Sequence, residues 1–191
     1  MNDKCKPLRS GSMIFVFDPL TSKLFMKDKK KQAFDKVAEI LGELDFTIVD
    51  KDDDRPWGGF YVIDEKQAAR FAQYFFPEEN FDELKITNKL SPKILVVAPH
   101  HRLSWQYHHR RAEIWKCIGG PVAVVTSNTD EEDIHHTLKM GDVIKLKQGE
   151  RHRLIGLDDW GLVAEIWQHT DESNPSDEDD IVRLQDDYSR K

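Results

Sequence analysis

PHHRLSWQYHHRRAEIW, residues 99–115, is the part of the sequence that decides the fold and the candidate site. On a β-strand, side chains two positions apart point to the same side, so Gln106 and His108 share one face. A tight turn at residues 110–111 would begin the next strand and bring Glu113 back towards this face. The spacing therefore predicts that an amide oxygen, an imidazole and a carboxylate converge on one site.

A second stretch, KMGDVIKLKQGERHRL at residues 139–154, adds another imidazole. His152 comes just after a turn that contains Gly149, at the start of a predicted strand. Two imidazoles, a carboxylate and an amide oxygen suit zinc, manganese, iron, cobalt or nickel. The two cysteines are too few for a cysteine-rich zinc site. We therefore expect one divalent metal ion, with zinc as the first choice, held by Gln106, His108, Glu113 and His152.

Short apolar or alternating runs surround both stretches from Lys93 onward. We interpret these runs as strands: ILVVA (94–98), LSWQYHH (103–109), EIWKCI (113–118), PVAVVTS (121–127), DVIKLK (142–147), HRLIGL (152–157) and GLVAEIWQ (161–168). Turn signals such as GGP, NTDEED, KQGE and LDDWG separate them at intervals of about 8 to 12 residues. This pattern is typical of an all-β sandwich or barrel.

The N-terminal part of the chain has a different pattern. MIFVFDPLTSKLFM, residues 13–26, suggests a short hairpin or a strand leading into a loop. Apolar residues at three-and-four spacing predict an amphipathic helix over residues 29–44, and FTIV at 46–49 predicts the next strand. A second helix is predicted over residues 65–76, where Pro77 ends it.

Composition and charge narrow the class of protein. With 191 residues, 39% of them hydrophobic and 33% charged, the chain is expected to form one soluble globular domain. The net charge of −7 belongs to the tail, because residues 171–187 hold eight acids and one base and leave 27 of each elsewhere. A balanced body argues against nucleic-acid binding. No apolar run approaches the roughly 20 residues that span a bilayer, and residues 1–13 lack a secretory signal, so we expect a cytoplasmic protein with no membrane partner.

Four segments match one known family in the same order along the chain. Residues 93–119 contain PxxRLSxQYHHxRAExW, which resembles the PGQRLSLQYHHHRAEHW segment typical of the cupin domain of type II mannose-6-phosphate isomerases. RPWGGFYVID at 55–64 resembles the RPWGxYxVL opening of that family, and HRL at 152–154 resembles its second cupin motif. EDDIVRLQDDYSR at 178–190 resembles its EDDIVRxEDxYGR ending.

The resemblance implies a mainly β fold, namely a cupin barrel (double-stranded β-helix or jelly roll) with a few peripheral helices. One compact domain is expected. Residues 1–50 would form an N-terminal segment whose strand and helix pack on the barrel, and residues 51–191 would form the cupin domain, with a helical insertion at 65–90. Carried over by position, the resemblance implies the same four metal ligands and puts Arg55, Lys93 and Arg183 near the substrate pocket or the closure of the barrel.

The sequence also departs from the family pattern around the site. His100 and His101 replace a Gly-Gln pair, Arg110 replaces a third histidine, Ile114 replaces a histidine beside the glutamate, and Lys147 replaces a proline. The metal-ligand set is intact while its surroundings are altered.

The function implied by the resemblance is aldose–ketose isomerisation of a sugar or sugar phosphate, with the conversion of mannose 6-phosphate to fructose 6-phosphate as the prototype. A metal near the substrate oxygens would stabilise the negative charge that develops while a proton moves between adjacent carbons. Lys93 and His109 are the candidate bases, and Arg110 would hold the substrate or its phosphate. Substrate binding is predicted for Arg55, Trp57 and Arg183.

Two other functions stay open. A non-catalytic sugar-binding or regulatory cupin is the alternative, motivated by the altered histidines around the site. A different metal enzyme, such as an epimerase or an oxygenase, is the third hypothesis, because cupins host many chemistries.

Several side chains have two interpretations. Four arginines could clamp a phosphate or form salt bridges with the acidic tail: Arg102, Arg110, Arg111 and Arg153. Three tryptophans could stack on a sugar or belong to the core, which is the ordinary role of such residues: Trp57, Trp105 and Trp115. His135 and His136 follow an acidic turn and are expected to be exposed.

The C-terminal tail and the edges of the sheets also have predicted roles. The tail is predicted to be a strap across the barrel, anchored by its apolar residues Ile181, Val182, Leu184 and Tyr188. Open edge strands favour pairing of two copies, so a homodimer is expected.

Overall fold

The computed structural model describes residues 30–190, which form two antiparallel β-sheets with helices on one side. One sheet has six strands in the order β1-β2-β3-β10-β5-β8, and the other has five in the order β11-β4-β9-β6-β7. The strands are β1 Ile48–Asp52, β2 Gly58–Ile63, β3 Lys93–Val97, β4 Trp105–Tyr107, β5 Arg111–Gly119, β6 Val122–Ser127, β7 Ile134–Leu138, β8 Val143–Leu146, β9 Arg151–Gly156, β10 Gly161–His169 and β11 Val182–Gln185. The predicted mainly β barrel with peripheral helices is confirmed.

Each of the seven runs interpreted as strands overlaps a strand of the structure. Strand β7, which contains the exposed His135 and the half-buried His136, was not predicted. Its sequence IHHTL has no continuous apolar face, and among the described strands it pairs only with β6, at the edge of the sheet. Its sequence therefore has no periodic pattern of apolar residues from which a strand could be predicted.

The helices follow the predicted pattern with small shifts. Helix α1 spans Lys30–Glu43, helix α2 spans Ala68–Phe75 after a 3₁₀ turn at Glu65–Gln67, and the short α3 spans Phe81–Leu84. The strand predicted at 46–49 begins at Ile48 instead, because the ring of Phe46 packs against Phe71 and Phe75 of α2. The hairpin predicted at 13–26 lies outside the described residues.

Two apolar cores lie on the two faces of the six-stranded sheet. The outer core joins the sheet to the helices, and the inner core fills the space between the two sheets. Strand β3 serves both, since Ile94 and Val96 face the helices while Leu95 and Val97 face the inside. Burial on both faces explains why its sequence is a continuous apolar run.

The RPWGG segment leads into β2 with its backbone close to β3. Gly58 has φ +138°, and a Cβ atom there would lie 1.9 Å from the main-chain oxygen of Val96. Only glycine fits so close an approach. The segment thereby holds Trp57 in the inner core beside the candidate site.

Candidate metal centre and pocket

The four predicted ligands come from both sheets and meet inside the barrel. Gln106 on β4 lies directly opposite His152 on β9 in the five-stranded sheet, while Glu113 lies on β5 of the six-stranded sheet. His108 follows β4, where the chain crosses from one sheet to the other. All four side chains are buried. The turn at 110–111 thus joins two sheets instead of closing a hairpin.

Acceptor atoms of three of these side chains face one another at short range. Nε2 of His108 lies 3.2 Å from Oε1 of Glu113, and Nε2 of His152 lies 3.3 Å from Oε2 of the same carboxylate. One ligand atom from each residue lies within 4.8 Å of the others. Two ligand atoms bound tetrahedrally at about 2.0 to 2.1 Å from zinc are about 3.3 Å apart, so the spacing fits a metal ion.

The hydrogen bonds around the site orient the two imidazoles. Nδ1 of His108 donates to the main-chain oxygen of Asp180 at 2.6 Å, and Nδ1 of His152 donates to that of Glu150 at 2.9 Å. A carbonyl oxygen can only accept, so the proton of each neutral ring is on Nδ1 and the lone pair of Nε2 points into the site. The hydroxyl of Ser104 donates to Oε1 of Gln106 at 2.6 Å and holds the amide in place.

Two buried atoms of the cluster lack hydrogen-bond partners within residues 30–190: Oε2 of Glu113 and Nε2 of His152. Buried polar atoms normally have a partner, and here both are acceptors that point at each other. A cation placed between them would satisfy both. The residues present therefore fit a divalent metal ion.

Arg111 also belongs to this centre, although the sequence suggested for it only a phosphate clamp or a salt bridge with the tail. Its Nε donates to Oε1 of Glu113 at 2.7 Å, and its Nη2 lies 3.1 Å from Nε2 of His108. Its Nη1 reaches the tail at the hydroxyl of Ser176, 2.7 Å away. Since Arg111 precedes Glu113 by two positions on one strand, the period-two rule that paired Gln106 with His108 could have found it.

Burial and charge set the protonation of the centre. Burial lowers the pKa of His108 to about 3, which keeps the imidazole neutral and able to bind a metal. Burial raises the pKa of Glu113, but the Arg111 guanidinium opposes this and holds that pKa well below its usual range. The carboxylate is therefore ionised.

A pocket opens beside the centre and contains the residues predicted to bind substrate. Its lining includes Gln106 and Glu113 together with Arg55, Trp57, Lys93 and Arg183. Arg183 on β11 lies opposite Gln106 on β4. Burial, followed by the nearby charges of Arg190 and Arg55, lowers the pKa of Arg183. The pocket thus carries a cluster of cationic groups.

Lys93 lies inside this pocket and is 4% exposed. Its ammonium forms an ion pair with Glu178 of the tail. The same ammonium lies 3.5 Å from the ring centre of Trp167, and the Arg111 guanidinium carbon lies 3.7 Å from that ring centre. The indole therefore contacts both cations.

The other two predicted catalytic residues lie outside the pocket lining. His109 is exposed and its ring contacts Tyr107 edge-on at 5.2 Å. Arg110 bonds to the tail, with Nη1 donating to the side chain of Asn174 and Nη2 to that of Asp177. Their catalytic roles stay predictions.

Most of the arginines that were candidates for a phosphate clamp contact the acidic tail instead. Arg102 pairs with Asp187, while Arg110 and Arg111 reach the segment around Asp180. Arg153 pairs instead with Glu132. These contacts favour the salt-bridge interpretation.

The tail crosses the barrel as a strap, as predicted, and β11 pairs with β4. Ile181 lines the pocket and Tyr188 packs on the inner core. Leu184 is 36% exposed and does not serve as an anchor.

The three tryptophans are buried, in keeping with the core interpretation, and Trp57 and Trp115 also line the pocket. Trp115 contacts His152 edge-on at 5.4 Å and donates from Nε1 to Oε1 of Glu165 at 2.9 Å. Glu165 is a buried pocket residue that the sequence reasoning missed.

A family model described as mannose-6-phosphate isomerase C-terminal matches residues 64–186, which include all four predicted ligands. The chain belongs to this family. Its fold is the cupin barrel that the resemblance implied. No curated protein matches this cupin.

Solved cupin structures are similar to parts of this chain. A cupin 2 conserved barrel domain protein from Salinispora arenicola shares 24% identity over 41% of this chain and 62% of its own, with a TM-score of 0.36. A sugar phosphate isomerase of the cupin superfamily from Silicibacter pomeroyi shares 15% over 42% and 51%, with a TM-score of 0.37. A recombinant oxalate oxidase, solved with glycolate, shares 16% over 50% and 46%, with a TM-score of 0.42. This cupin spans about half the length of the solved chains it matches, and these similarities say nothing about its reaction.

No helix within residues 30–190 is both long enough and apolar enough to cross a membrane.

Proposed function

We propose that this cupin is a metal-dependent aldose–ketose isomerase that acts on a sugar or sugar phosphate. The observation that carries the proposal is the ligand cluster of His108, Glu113 and His152, which adjoins a pocket lined by cationic side chains. Membership in the mannose-6-phosphate isomerase C-terminal family supports it. Zinc is the proposed metal, since the cluster offers imidazole nitrogens and a carboxylate, which are ligands that zinc takes.

His108, Glu113 and His152, with the amide oxygen of Gln106, would hold the metal. A bound divalent cation supplies stabilisation of negative charge on the substrate oxygens. Trp57 forms an apolar side of the pocket, and Arg55 and Arg183 supply positive charge to hold an anionic substituent such as a phosphate. Lys93 places a buried ammonium where a substrate oxygen could accept from it, once Glu178 gives up that contact.

A non-catalytic sugar-binding or regulatory cupin is the second candidate. Arg111 favours it, because its guanidinium already supplies positive charge to Glu113 and a hydrogen bond to His108. In such a protein the bound metal ion would order the barrel, and no substrate would be converted.

An assay of purified, metal-analysed protein against a panel of aldoses and aldose phosphates separates the two candidates. The isomerase proposal expects ketose formation that a chelator abolishes and one added metal restores. Protein that holds a metal ion, binds a sugar and forms no ketose from any member of the panel would favour the binding protein.

Cytoplasmic location and pairing into a homodimer are further proposals. Within residues 30–190, strand β7 is an open edge with Ile134 exposed, which supports pairing through this edge. Light scattering on the eluted peak of a size-exclusion column gives the mass: a value of one chain would contradict the dimer.

A further inference from the structure

An isomerase of this kind needs a group that removes a proton from the carbon beside the carbonyl. Four arginines line the pocket, and arginine does not lose its proton in proteins. Glu113 is committed to the metal cluster, and the ammonium of Lys93 is paired with Glu178. Among the described pocket residues, this leaves one buried carboxyl group without such a commitment, that of Glu165.

Glu165 lies on β10, between the strand that carries Lys93 and the strand that carries Glu113. On β10 it lies opposite Trp115 of β5 on one side and opposite Lys93 of β3 on the other. The next inward-facing residue of β10 is Trp167, which lies opposite Glu113. Glu165 and the predicted ligand Glu113 are therefore diagonal neighbours on adjacent strands, offset by two residues.

One oxygen of the Glu165 carboxyl group is held by a hydrogen bond. The other oxygen can take a proton from a substrate. Trp115 donates from Nε1 to Oε1 at 2.9 Å. The indole of Trp115 also contacts the ring of His152, so the same side chain orients both the carboxyl group and a predicted ligand. A general base needs this kind of fixed position beside the substrate.

We infer that Glu165 is the general base of this cupin, and the inference rests on the isomerase function proposed above. Its carboxylate takes the proton from the carbon beside the carbonyl, and the electron pair of the broken C–H bond forms the C=C bond of an enediolate. The hydroxyl proton moves to the former carbonyl oxygen. Protonated Glu165 then returns its proton to the neighbouring carbon, so the reaction consumes no oxidant, reductant or net proton.

The ionisation of Glu165 agrees with this role. Burial, followed by the charge of Glu113, raises the pKa of Glu165 to about 7, while Lys93 and Arg111 oppose the rise. A base with a pKa near the working pH is both ionised often enough and strong enough to take a proton. The neighbouring cations keep the carboxylate form accessible.

The test uses the metal-loaded protein with mannose 6-phosphate as probe, in D₂O. Ketose formation and exchange of the C2 hydrogen for deuterium are followed together by proton NMR. Glu165→Gln keeps the shape of the side chain and an oxygen for Trp115, so we expect both rates per bound metal to fall about 10²- to 10⁴-fold with the metal content unchanged. Glu131→Gln, an exposed carboxylate in a turn, is the matched control and keeps the wild-type rates.

Glu165→Ala with added formate provides a second variant, in which we expect rates that increase with formate concentration. A folded, metal-loaded Glu165→Gln protein that exchanges and isomerises within tenfold of wild type would overturn the inference and leave the isomerase function standing. Wild-type protein that isomerises no sugar of the panel would overturn the proposed function and this inference together.

Discussion

The main-chain oxygen of Asp180 accepts a 2.6 Å hydrogen bond from Nδ1 of His108, a residue 72 positions earlier in the chain. The carboxylate of Asp180 also accepts from the main-chain nitrogens of His109 and Arg110 and from the hydroxyl of Ser176. The tail thereby orients a predicted metal ligand and fixes the turn that carries it.

The first prediction concerns this contact between the tail and the metal centre. Asp180→Ala keeps the main-chain oxygen that accepts from His108 but removes the carboxylate that holds the turn, so His108 is oriented less firmly. We expect metal affinity to fall about 10- to 100-fold, as is usual when the support of a ligand is lost. Competition with a chromogenic chelator measures the affinity. The neighbouring Asp179 is exposed, and Asp179→Ala is expected to leave the affinity unchanged.

A second prediction separates the two adjacent histidines. His108→Ala removes a predicted ligand from the cluster, and we expect metal affinity to fall by more than about 100-fold, beyond the loss of a supporting contact. His109→Ala changes an exposed ring outside the pocket and keeps the metal. Elemental analysis after dialysis gives the metal per chain. Equal metal content in the two variants would contradict the ligand assignment.

Arg111 carries a third prediction, on stability. Arg111→Ala leaves the buried, ionised carboxylate of Glu113 without its cation, which destabilises a protein by about 3 to 5 kcal/mol. We expect this loss in chelator-treated protein and a smaller one in metal-loaded protein, because the metal also compensates the charge. Urea unfolding with and without metal measures both values.

Arg110→Ala serves as the control for Arg111. Arg110 pairs with the exposed Asp177 at 3.0 Å and more distantly with Asp180 at 3.6 Å, and it does not contact Glu113, so its loss is expected to have a smaller effect. An equal loss in loaded and chelated Arg111→Ala protein would contradict a metal ion beside Glu113.

The fourth prediction is the pH dependence that Glu165 imposes on folding. Its pKa of about 7 in the folded protein is raised above the ordinary value of 4.5. Stabilisation by the protonated form is therefore complete below pH 4.5 and is lost as the pH rises through 7. Relative to wild type, chelator-treated Glu165→Gln should gain on the order of 3 kcal/mol between pH 4 and pH 8. Urea unfolding across this range tests it, and a pH-independent difference would contradict the raised pKa.

Much of the fold followed from local pattern. The apolar runs EIWKCI and GLVAEIWQ predicted β5 and β10, because both faces of these strands are largely buried. The same rule failed for β7, since an exposed edge strand contacts the barrel through its backbone more than through its side chains.

The four predicted metal ligands also followed from local pattern. Spacing along the chain paired Gln106 with His108 and brought in Glu113 and His152, and the structure brings these four together. Their role as ligands stays a prediction, as do the roles assigned to Lys93, His109 and Arg110.

What the sequence by itself determined is the order of most strands along the chain, the shared face of Gln106 and His108, and the family of the chain. Only the tertiary structure decided that Glu165 lies between Trp115 and Lys93 and that Asp180 orients His108. The side of the sheet to which a side chain points is a local property, because a strand repeats every two residues whatever its neighbours are. Register between strands depends on hydrogen bonds between residues far apart in the chain, so no local pattern specifies which side chains meet across the barrel.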